Sequence, residues 1–249
     1  MKIQDKVALI VGGGQGLGEA TARYLAELGA KIIILDKSNE HAMRVANATQ
    51  GIGIACDITH AQNLETIFAT MIQHPLAVIV NCAGIAPAKR MVGKEGPAPL
   101  SAFEDVIQVN LIGTYNVMRL GAALMMQQSN SENEERGVII NTASVAAFDG
   151  QIGQTAYSAS KGGIVSLTLP AARELARFNI RVMTIAPGIM DTAMMQNMPL
   201  EVRNSLLNQT VYPKRFGMPQ EYAALVAHII DNPMLNGSVI RLDGALRMS

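Results

Sequence analysis

The chain has 249 residues, of which 49% are hydrophobic and 16% are charged, and its formal net charge is zero. This apolar fraction suffices for a sizeable core and excludes an intrinsically disordered chain. The balanced charge argues against a protein that binds nucleic acid or the surface of an anionic membrane.

The few cysteines and histidines narrow the class of protein further. Cys56 and Cys82 form no CxxC pair, and the first apolar run starts at residue 7, which leaves no room for a signal peptide. These features predict a reduced, cytoplasmic protein without disulfide bonds. The four histidines lack the spacing of metal ligands, so no metal site is expected. No apolar run reaches the roughly 18–20 residues of a membrane-spanning helix.

Short runs of β-branched residues alternate with stretches suited to helices. Strands are expected at 7–11, 31–35, 77–80, 137–142, 180–185 and 238–242, and a further strand leads into CDIT at 56–59. Runs with so few polar residues are typical of a parallel sheet that helices cover on both faces. The alternation predicts one doubly wound α/β domain over residues 1–249, with a mostly parallel sheet.

Two polar stretches interrupt this alternation. Residues 88–99, AKRMVGKEGPAP, are basic and rich in glycine and proline, whereas residues 127–137, QQSNSENEERG, are polar and acidic. Both are expected to be surface loops, the second mainly solvated. The first follows a strand at the edge where ligands bind in this class of fold, which makes it a candidate for contact with a substrate.

The segment after the first strand, VGGGQGLGEATARYLAELGA, has the composition of a turn that holds a dinucleotide. Gly12, Gly16 and Gly18 stand between a strand and a helix, where glycine lets backbone N–H groups approach a pyrophosphate. Asp36 ends the second strand about 20 residues further on, and its carboxylate can bind both ribose hydroxyls. Because it would also repel a 2′-phosphate, NAD is favoured over NADP, although the neighbouring Lys37 could accommodate that phosphate. The pattern predicts a Rossmann fold.

Further contacts with this cofactor are expected where two other strands end. CDIT at 56–59 and NCAG at 81–84 lie at the same edge of the predicted sheet. Asp57 could reach the adenine or could cap a helix. The small residues of NCAG allow the backbone to pass close to the cofactor.

Residues suited to acid–base chemistry surround YSASKGGI at 157–164. Tyr157 and Lys161 are one helical turn apart, so the ammonium can alter the acidity of the phenol. Ser144 precedes them, and Asn110 lies in the expected helix VIQVNLIGTYNV. Each alone has an ordinary explanation: Ser144 could cap a turn, Asn110 could satisfy buried backbone groups, and the other two could serve packing and surface charge.

Together these elements resemble the short-chain dehydrogenase/reductase family, whose TGxxxGxG, NNAG, Asn, Ser and YxxxK elements occur here in order. Val11 replaces the usual threonine, and Cys82 replaces the usual second asparagine. The resemblance implies an enzyme in which Tyr157 takes the hydroxyl proton of an alcohol while hydride passes to the nicotinamide. Lys161 and the positive nicotinamide would lower the pKa of this tyrosine from its ordinary value of roughly 10.

The resemblance also assigns the other roles. Ser144 would donate to the reacting oxygen, Lys161 would hold the nicotinamide ribose, and Asn110 would position a water in the proton path. The turn at Pro187 resembles the PG motif beside the nicotinamide, and 189–198 with a helix at 200–209 would form a substrate lid. The implied catalytic set is Asn110, Ser144, Tyr157 and Lys161; the cofactor set is Gly12, Gln15, Gly16, Leu17, Gly18, Asp36, Asp57, Ile58, Cys82, Ala83, Gly84, Tyr157, Lys161, Pro187, Met190 and Thr192; the substrate set is Ser144, Gln151, Gln154 and Tyr157.

Residues 137–165, 181–188 and 232–248 are most similar to the subgroup of this family that acts on 3-hydroxyacyl-CoA. That similarity implies NAD-dependent interconversion of (S)-3-hydroxyacyl-CoA and 3-oxoacyl-CoA, with basic side chains of 88–99 meeting the phosphates of coenzyme A. The alternatives are a 3-oxoacyl-carrier-protein reductase, a hydroxysteroid dehydrogenase or an NAD-binding regulator without activity. The family resemblance further implies a homotetramer formed through the helices of Asn110 and Tyr157, with LDGALRMS at a subunit contact.

Overall fold

Seven strands form one sheet within the residues that the structure describes, which are 1–128, 134–192, 195 and 200–248 of this computed structural model. In chain order the strands are β1 (Val7–Val11), β2 (Lys31–Asp36), β3 (Ile52–Ala55), β4 (Leu76–Asn81), β5 (Val92–Gly93), β6 (Gly96–Pro97), β7 (Gly137–Thr142), β8 (Ile180–Pro187) and β9 (Val239–Leu242). The order across the sheet is β3-β2-β1-β4-β7-β8-β9, and its pairings are parallel. The predicted doubly wound sheet is confirmed.

Helices cover both faces of this sheet. They are α1 (Gly16–Glu27), α2 (Asn39–Thr49), α3 (Ala61–Thr70), α4 (Ser101–Ile107), α5 (Thr114–Met126), α6 (Thr155–Ala176), α7 (Leu200–Gln209) and α8 (Pro219–Asp231). Side chains of a strand alternate between the faces, so Ile32 and Ile34 pack toward α1, α2 and α8, whereas Ile33 and Leu35 pack toward α3, α5 and α6. Burial of each such side chain contributes roughly 1.5–3 kcal/mol, which explains why the strands carry almost no polar residues.

The register of the sheet determines which residues meet at its ligand-binding edge. Val11 pairs with Leu35 on β2 and with Asn81 on β4, and Asn81 pairs in turn with Asn141 on β7. The residue that follows in each strand therefore lies at one common edge; these residues are Gly12, Asp36, Cys82 and Thr142. Because β1 stands between β2 and β4, the chain crosses over in opposite directions on its two sides. A crevice at the carboxyl ends of the strands is expected at this point.

Three regions differ in detail from the sequence prediction. The loop expected at 88–99 contains the antiparallel hairpin of β5 and β6. The helix expected around Asn110 is interrupted by a π-helical segment, Gln108–Gly113, between α4 and α5. Of the segment 127–137, residues 129–133 lie outside the described residues. The expectation of a solvated loop is wrong for Glu135, which accepts a 2.7 Å hydrogen bond from the buried Arg181.

Within the described residues, no helix is long and apolar enough to cross a membrane. Cys56 and Cys82 are both unpaired.

Candidate active site

A cavity of about 660 Å³ lies at the carboxyl ends of β1, β2, β4, β7 and β8. Most residues that the sequence assigns to a cofactor or a substrate line it, although they come from separate parts of the chain. The predicted site residues in its wall are Gly12, Gln15, Gly16, Leu17, Gly18, Asp36, Asp57, Ile58, Cys82, Ala83, Gly84, Ser144, Gln151, Gln154, Tyr157, Lys161, Pro187, Met190 and Thr192. Asn110 does not line the cavity and lies behind it.

The glycine turn leaves no space for side chains where β1 meets α1. A Cβ atom on Gly12, whose φ is +69°, would lie 2.6 Å from the backbone nitrogen of Ala83. A Cβ atom on Gly18 would lie 2.2 Å from the carbonyl oxygen of Gly12, so glycine also permits the close packing of helix on strand. Both contacts are shorter than real Cβ atoms allow. The turn therefore exposes backbone at the N-terminus of α1, an arrangement that fits a pyrophosphate.

The Asp36 carboxylate is held in place at the end of β2. Its Oδ2 accepts a hydrogen bond from the N–H of Gly14 at 2.9 Å, and its Oδ1 accepts one from the N–H of Ser38 at 2.9 Å. Each ionised carboxylate oxygen has two lone pairs, so both oxygens keep the capacity to accept a further donor. The position fits a contact with ribose hydroxyls.

Lys37 does not point its charge at Asp36. Its ammonium lies 3.2 Å from Oδ2 of Asp57, although the lysine side chain is 82% exposed and the pair is therefore weak. The pKa of Asp57 is below its ordinary value: burial raises it, but hydrogen bonds from Thr59 and the contact with Lys37 outweigh the burial. Asp57 is thus a charged group beside the expected adenine position.

Tyr157, Ser144 and Lys161 meet near the middle of the cavity wall. Ser144 caps the short 3₁₀ turn Val145–Ala147, where its Oγ accepts the N–H of Ala146 at 3.1 Å. Its hydroxyl hydrogen remains available to donate, and it forms a hydrogen bond with Tyr157. The Lys161 Nζ lies 5.9 Å from the centre of the Tyr157 ring and donates to the carbonyl of Thr142 at 2.7 Å. The three side chains thus come from two elements, the turn after β7 and the first turns of α6.

Burial shifts the acidity of both Tyr157 and Lys161. Burial raises the pKa of Tyr157 above 10, and the hydrogen bond from Ser144 opposes that rise without cancelling it. Burial also lowers the pKa of Lys161 from 10.5 to about 8, since this residue is only 4% exposed. Lys161 alone therefore does not bring the pKa of Tyr157 below its ordinary value, and the lowering expected from Lys161 together with the nicotinamide stays a prediction. A further positive charge beside the phenol is needed to stabilise the phenolate.

Asn110 fixes the loop that follows β4. Its Oδ1 accepts the N–H of Ile85 at 2.8 Å, and its Nδ2 donates to the carbonyl of Ile85 at 2.9 Å and to the hydroxyl of Ser160 at 3.0 Å. Ser160 in turn donates to the backbone carbonyl of Tyr157. π-Helical segments are frequent at functional sites, and here one carries Asn110. The structure thus shows Asn110 as a brace between the NCAG loop and α6, and its role toward a water stays a prediction.

A polar cluster that the sequence analysis missed lies beneath this site. The hydroxyl of Thr142 donates to the carbonyl of Asn81 at 2.5 Å and lies 2.8 Å from the hydroxyl of Tyr222, which is fully buried on α8. The Cys82 thiol lies 3.8 Å from the same tyrosine hydroxyl, and burial raises the pKa of this thiol. Thr142 lies at the carboxyl end of β7, just as Cys82 follows the carboxyl end of β4. This position at the ligand-binding edge could have identified Thr142 from the sequence. Tyr222 has no such signal.

The segment after β8 lies opposite the glycine turn. Thr192 approaches Gly16 closely, since its Cγ2 would lie 3.7 Å from a Cβ atom placed there. Met190 is buried and forms an isolated bridge with Gly217. Met195 and Leu206 line the cavity, as expected of a lid, whereas 193–194 and 196–199 of the predicted lid lie outside the described residues.

The substrate end of the cavity contains one further fixed polar group. The Oε1 atom of Gln154 accepts the N–H of Gln151 at 2.9 Å, so the turn before α6 is stabilised by one of its own side chains. The N–H of Lys89 donates to the carbonyl of Gly153 at 2.8 Å, which joins the base of the hairpin to this turn. Thr142, Val145 and Ala146 also line the cavity without having been predicted, and so does Met248, which the resemblance assigned to a subunit contact.

The fold and this constellation define a dehydrogenase, and the chain belongs to the short-chain dehydrogenase family, whose model matches residues 6–202. It is an oxidoreductase. The chain is 49% identical over 256 residues to 3-hydroxyacyl-CoA dehydrogenase type-2 of Bos taurus, which covers 99% of this chain and 97% of that protein. The crystal structure of 3-hydroxyacyl-CoA dehydrogenase type-2 from Mycobacterium avium superposes with a TM-score of 0.92 at 38% identity, over 98% of this chain and 96% of that one. A 3-oxoacyl-(acyl-carrier-protein) reductase of Thermotoga maritima is 32% identical over 99% of both chains.

Proposed function

We propose that this protein is an NAD-dependent dehydrogenase that interconverts (S)-3-hydroxyacyl-CoA and 3-oxoacyl-CoA with short or 2-methyl-branched chains. The observation that carries the proposal is the continuous cavity in which Ser144, Tyr157 and Lys161 lie between the glycine turn and the turn of Gln151 and Gln154. The names of the relatives that are 49% and 38% identical support the substrate class. The proposal also takes residues 1–249 as one domain. It assigns the protein a cytoplasmic role in degrading fatty acids or branched-chain amino acids.

The choice of NAD follows from Asp36. Its carboxylate is already oriented by two backbone N–H groups and keeps free lone pairs on both oxygens. A 2′-phosphate at the same position would meet this negative charge, whereas the neighbouring Lys37 contacts Asp57. Charge repulsion therefore favours the cofactor without the phosphate.

The chemical step removes a hydride from the substrate carbon and a proton from its hydroxyl. Bound NAD would accept the hydride and would bring the positive charge that the phenol requires. Tyr157 takes the hydroxyl proton as a C=O bond forms, and in the reverse direction it returns that proton to the carbonyl oxygen. Ser144 donates its hydroxyl hydrogen to the same oxygen, because its own oxygen accepts from the N–H of Ala146. Lys161, held by the Thr142 carbonyl, stabilises negative charge on the tyrosine.

Basic side chains on the hairpin supply the contact for coenzyme A. Lys89, Arg90 and Lys94 are exposed, and within the described residues none of them forms an ion pair. The hydrogen bond from Lys89 to Gly153 places the hairpin base beside the turn of Gln151 and Gln154. Charge-assisted hydrogen bonds to phosphate are among the stronger polar contacts. We therefore assign the phosphates of coenzyme A to this side of the cavity.

The protein acts as a homotetramer in this proposal. Apolar side chains are exposed along the helices that carry Asn110 and Tyr157, namely Phe103, Ile112, Tyr115 and Leu169. Exposed apolar groups of this kind are typical of contact surfaces. Light scattering on the purified protein should give a mass about four times 26.6 kDa, and the mass of a monomer or a dimer would contradict the assembly.

Steady-state assays test the substrate class. Oxidation of 3-hydroxybutyryl-CoA and its 2-methyl analogue with NAD should exceed that of simple secondary alcohols by a large factor. Faster reduction of 3-oxoacyl-carrier protein with NADPH would favour the reductase alternative, to which the 32% identical relative corresponds. Faster oxidation of steroid alcohols would favour a hydroxysteroid dehydrogenase.

A further inference from the structure

The segment that follows β9 enters the substrate end of the cavity. Leu246 is only 1% exposed, and Met248 is one of the residues in the cavity wall. The proposed proton transfer uses neither residue. The family resemblance implies a subunit contact for this segment, and a role inside the site of its own chain goes beyond that implication.

An arginine on β9 holds the segment in this position. The Nη2 atom of Arg241 donates to Oδ2 of Asp149 at 2.6 Å and to the carbonyl of Leu246 at 3.0 Å, while its Nε donates to Oδ2 of Asp243 at 2.6 Å. Arg247 adds a contact of 3.2 Å to Asp243. The guanidinium is a planar donor that can satisfy several acceptors at fixed angles, so it orders both partners.

These contacts show which end of the cavity Met248 enters. In the sequence, Asp149 stands between Ser144 and Gln151, and both of those residues line the cavity. The segment is therefore joined to the turn that carries the substrate residues, and not to the elements expected around the adenine. Here the methionine adds an unbranched, adaptable apolar side chain to the wall.

We propose that Met248 is a specificity-determining residue that limits the apolar bulk a substrate carries beside the reacting carbon, and that Arg241 is the positioning residue that holds it there. The inference rests on the proposed function, because the bulk is taken to be an aliphatic acyl chain. A smaller residue at 248 enlarges the substrate end, and a larger residue reduces it.

Two substitutions of opposite size test the role of Met248. The measured quantity is the ratio of kcat/KM for 3-hydroxyoctanoyl-CoA to kcat/KM for 3-hydroxybutyryl-CoA, with saturating NAD. Met248→Ala should raise this ratio roughly tenfold, and Met248→Phe should lower it by a similar factor, as for methylene-sized changes in apolar pockets. The matched control is Met234→Ala, since Met234 is 88% exposed and outside the cavity. A ratio that changes less than about twofold in either folded variant would overturn the inference.

The positioning role of Arg241 has its own test. Arg241→Lys keeps the charge but cannot make the three hydrogen bonds at once, so it should raise the ratio in the same direction as Met248→Ala. In the double variant the two effects should not add, because Arg241 acts through Met248. Lower thermal stability with an unchanged ratio would show that Arg241 is only structural.

A failure of the inference can be told from a failure of the proposed function. If the wild-type protein oxidises neither CoA ester, the proposed function is wrong. The same ratio is then measured for 2-octanol and 2-butanol, which carry the reacting carbon without coenzyme A. A shift of that ratio in opposite directions by Met248→Ala and Met248→Phe supports the inference, and an unchanged ratio overturns it.

Discussion

The two ends of the cavity are built in different ways. The cofactor end consists mainly of backbone: the glycine turn after β1, the NCAG loop after β4, and Asp36, whose carboxylate is fixed by two N–H groups. The substrate end consists of side chains from distant segments, including Gln151, Met195 and Met248. Tyr157 and Lys161 lie where the two ends meet.

This difference determines what a substitution does. Backbone at a strand end is positioned by the hydrogen bonds of the whole sheet, so the cofactor end tolerates little change and treats all substrates alike. Side chains gathered from separate segments can change one at a time. We therefore expect substitutions at the cofactor end to alter binding or selection of the dinucleotide, and substitutions at the substrate end to alter relative rates among alcohols.

The largest effect is expected where the two ends meet. Tyr157→Phe removes the group that exchanges the proton and should lower kcat about 10²–10⁴-fold. Binding of NADH, followed by fluorescence, should stay within about twofold because Phe fills the same space. The control is Tyr212→Phe, since Tyr212 is 80% exposed and is not part of the cavity wall. Unchanged turnover in Tyr157→Phe would favour a protein that binds NAD without catalysis.

A substitution at the cofactor end should change selection of the dinucleotide. Asp36→Asn keeps an acceptor oxygen for one of the two backbone N–H groups and removes the charge that repels a 2′-phosphate. The ratio of kcat/KM with NADP to kcat/KM with NAD should rise about 10–100-fold, the size expected for a hydrogen bond to a charged group. Asp105→Asn on the exposed side of α4 is the control. If both variants give the wild-type ratio, Asp36 does not select the cofactor.

The buried ammonium of Lys161 predicts a dependence of stability on pH. Since its folded pKa is about 8 against 10.5 in the unfolded chain, the unfolded chain binds more protons between these values. Stability therefore rises with pH through that window, and below it the buried charge destabilises the fold. Lys161→Met removes this penalty, so its advantage over wild type in urea unfolding should be about 2 kcal/mol larger near pH 7.5 than near pH 10.

The matched control for this experiment is Lys31→Met. Lys31 is exposed at the first position of β2, away from the cavity. Its difference from wild type should be the same at both pH values. If the advantage of Lys161→Met does not shrink at the higher pH, burial does not lower the pKa of Lys161.

The smallest effect is expected at the hairpin. Combined replacement of Lys89, Arg90 and Lys94 by Ala should lower kcat/KM for the CoA ester about three- to tenfold, because each exposed charge contributes less than about 1 kcal/mol. The loss should shrink as salt is added, and oxidation of 2-butanol should not change. Lys6→Ala, at the opposite edge of the sheet, is the control. An equal loss for 2-butanol would mean that these side chains contribute to folding and not to the binding of coenzyme A.

Prediction from sequence succeeded where a local pattern carries the physics. Alternating apolar runs are sufficient to predict a parallel sheet, and spacing of Gly12, Gly16 and Gly18 is sufficient to predict the turn. The π-helical segment at Asn110 was not predictable, because an extra backbone residue in a helical turn leaves the apolar period nearly unchanged. The rise that burial causes in the pKa of Tyr157 was not predictable either, because the spacing to Lys161 is visible in the sequence, whereas burial is a property of packing.

The missed residues share a physical cause. Tyr222 lies in an amphipathic helix and Met248 in a short irregular segment, and neither position differs in pattern from ordinary core residues. Their contacts arise only when α8 and the segment after β9 pack against strand ends far away in the sequence. A pattern confined to neighbouring residues contains no information about such contacts.

The contact between Cys82 and Tyr222 limits which pairs of residues can occupy these two positions together. The tyrosine hydroxyl occupies the space beneath the NCAG loop, 3.8 Å from the thiol, and a bulkier amide at position 82 would compete for it. An asparagine at 82 would therefore pack better beside a smaller residue at 222, so the two positions are coupled through the space they share. Among descendants of the family, we expect the identities at 82 and 222 to co-vary, with cysteine accompanying tyrosine.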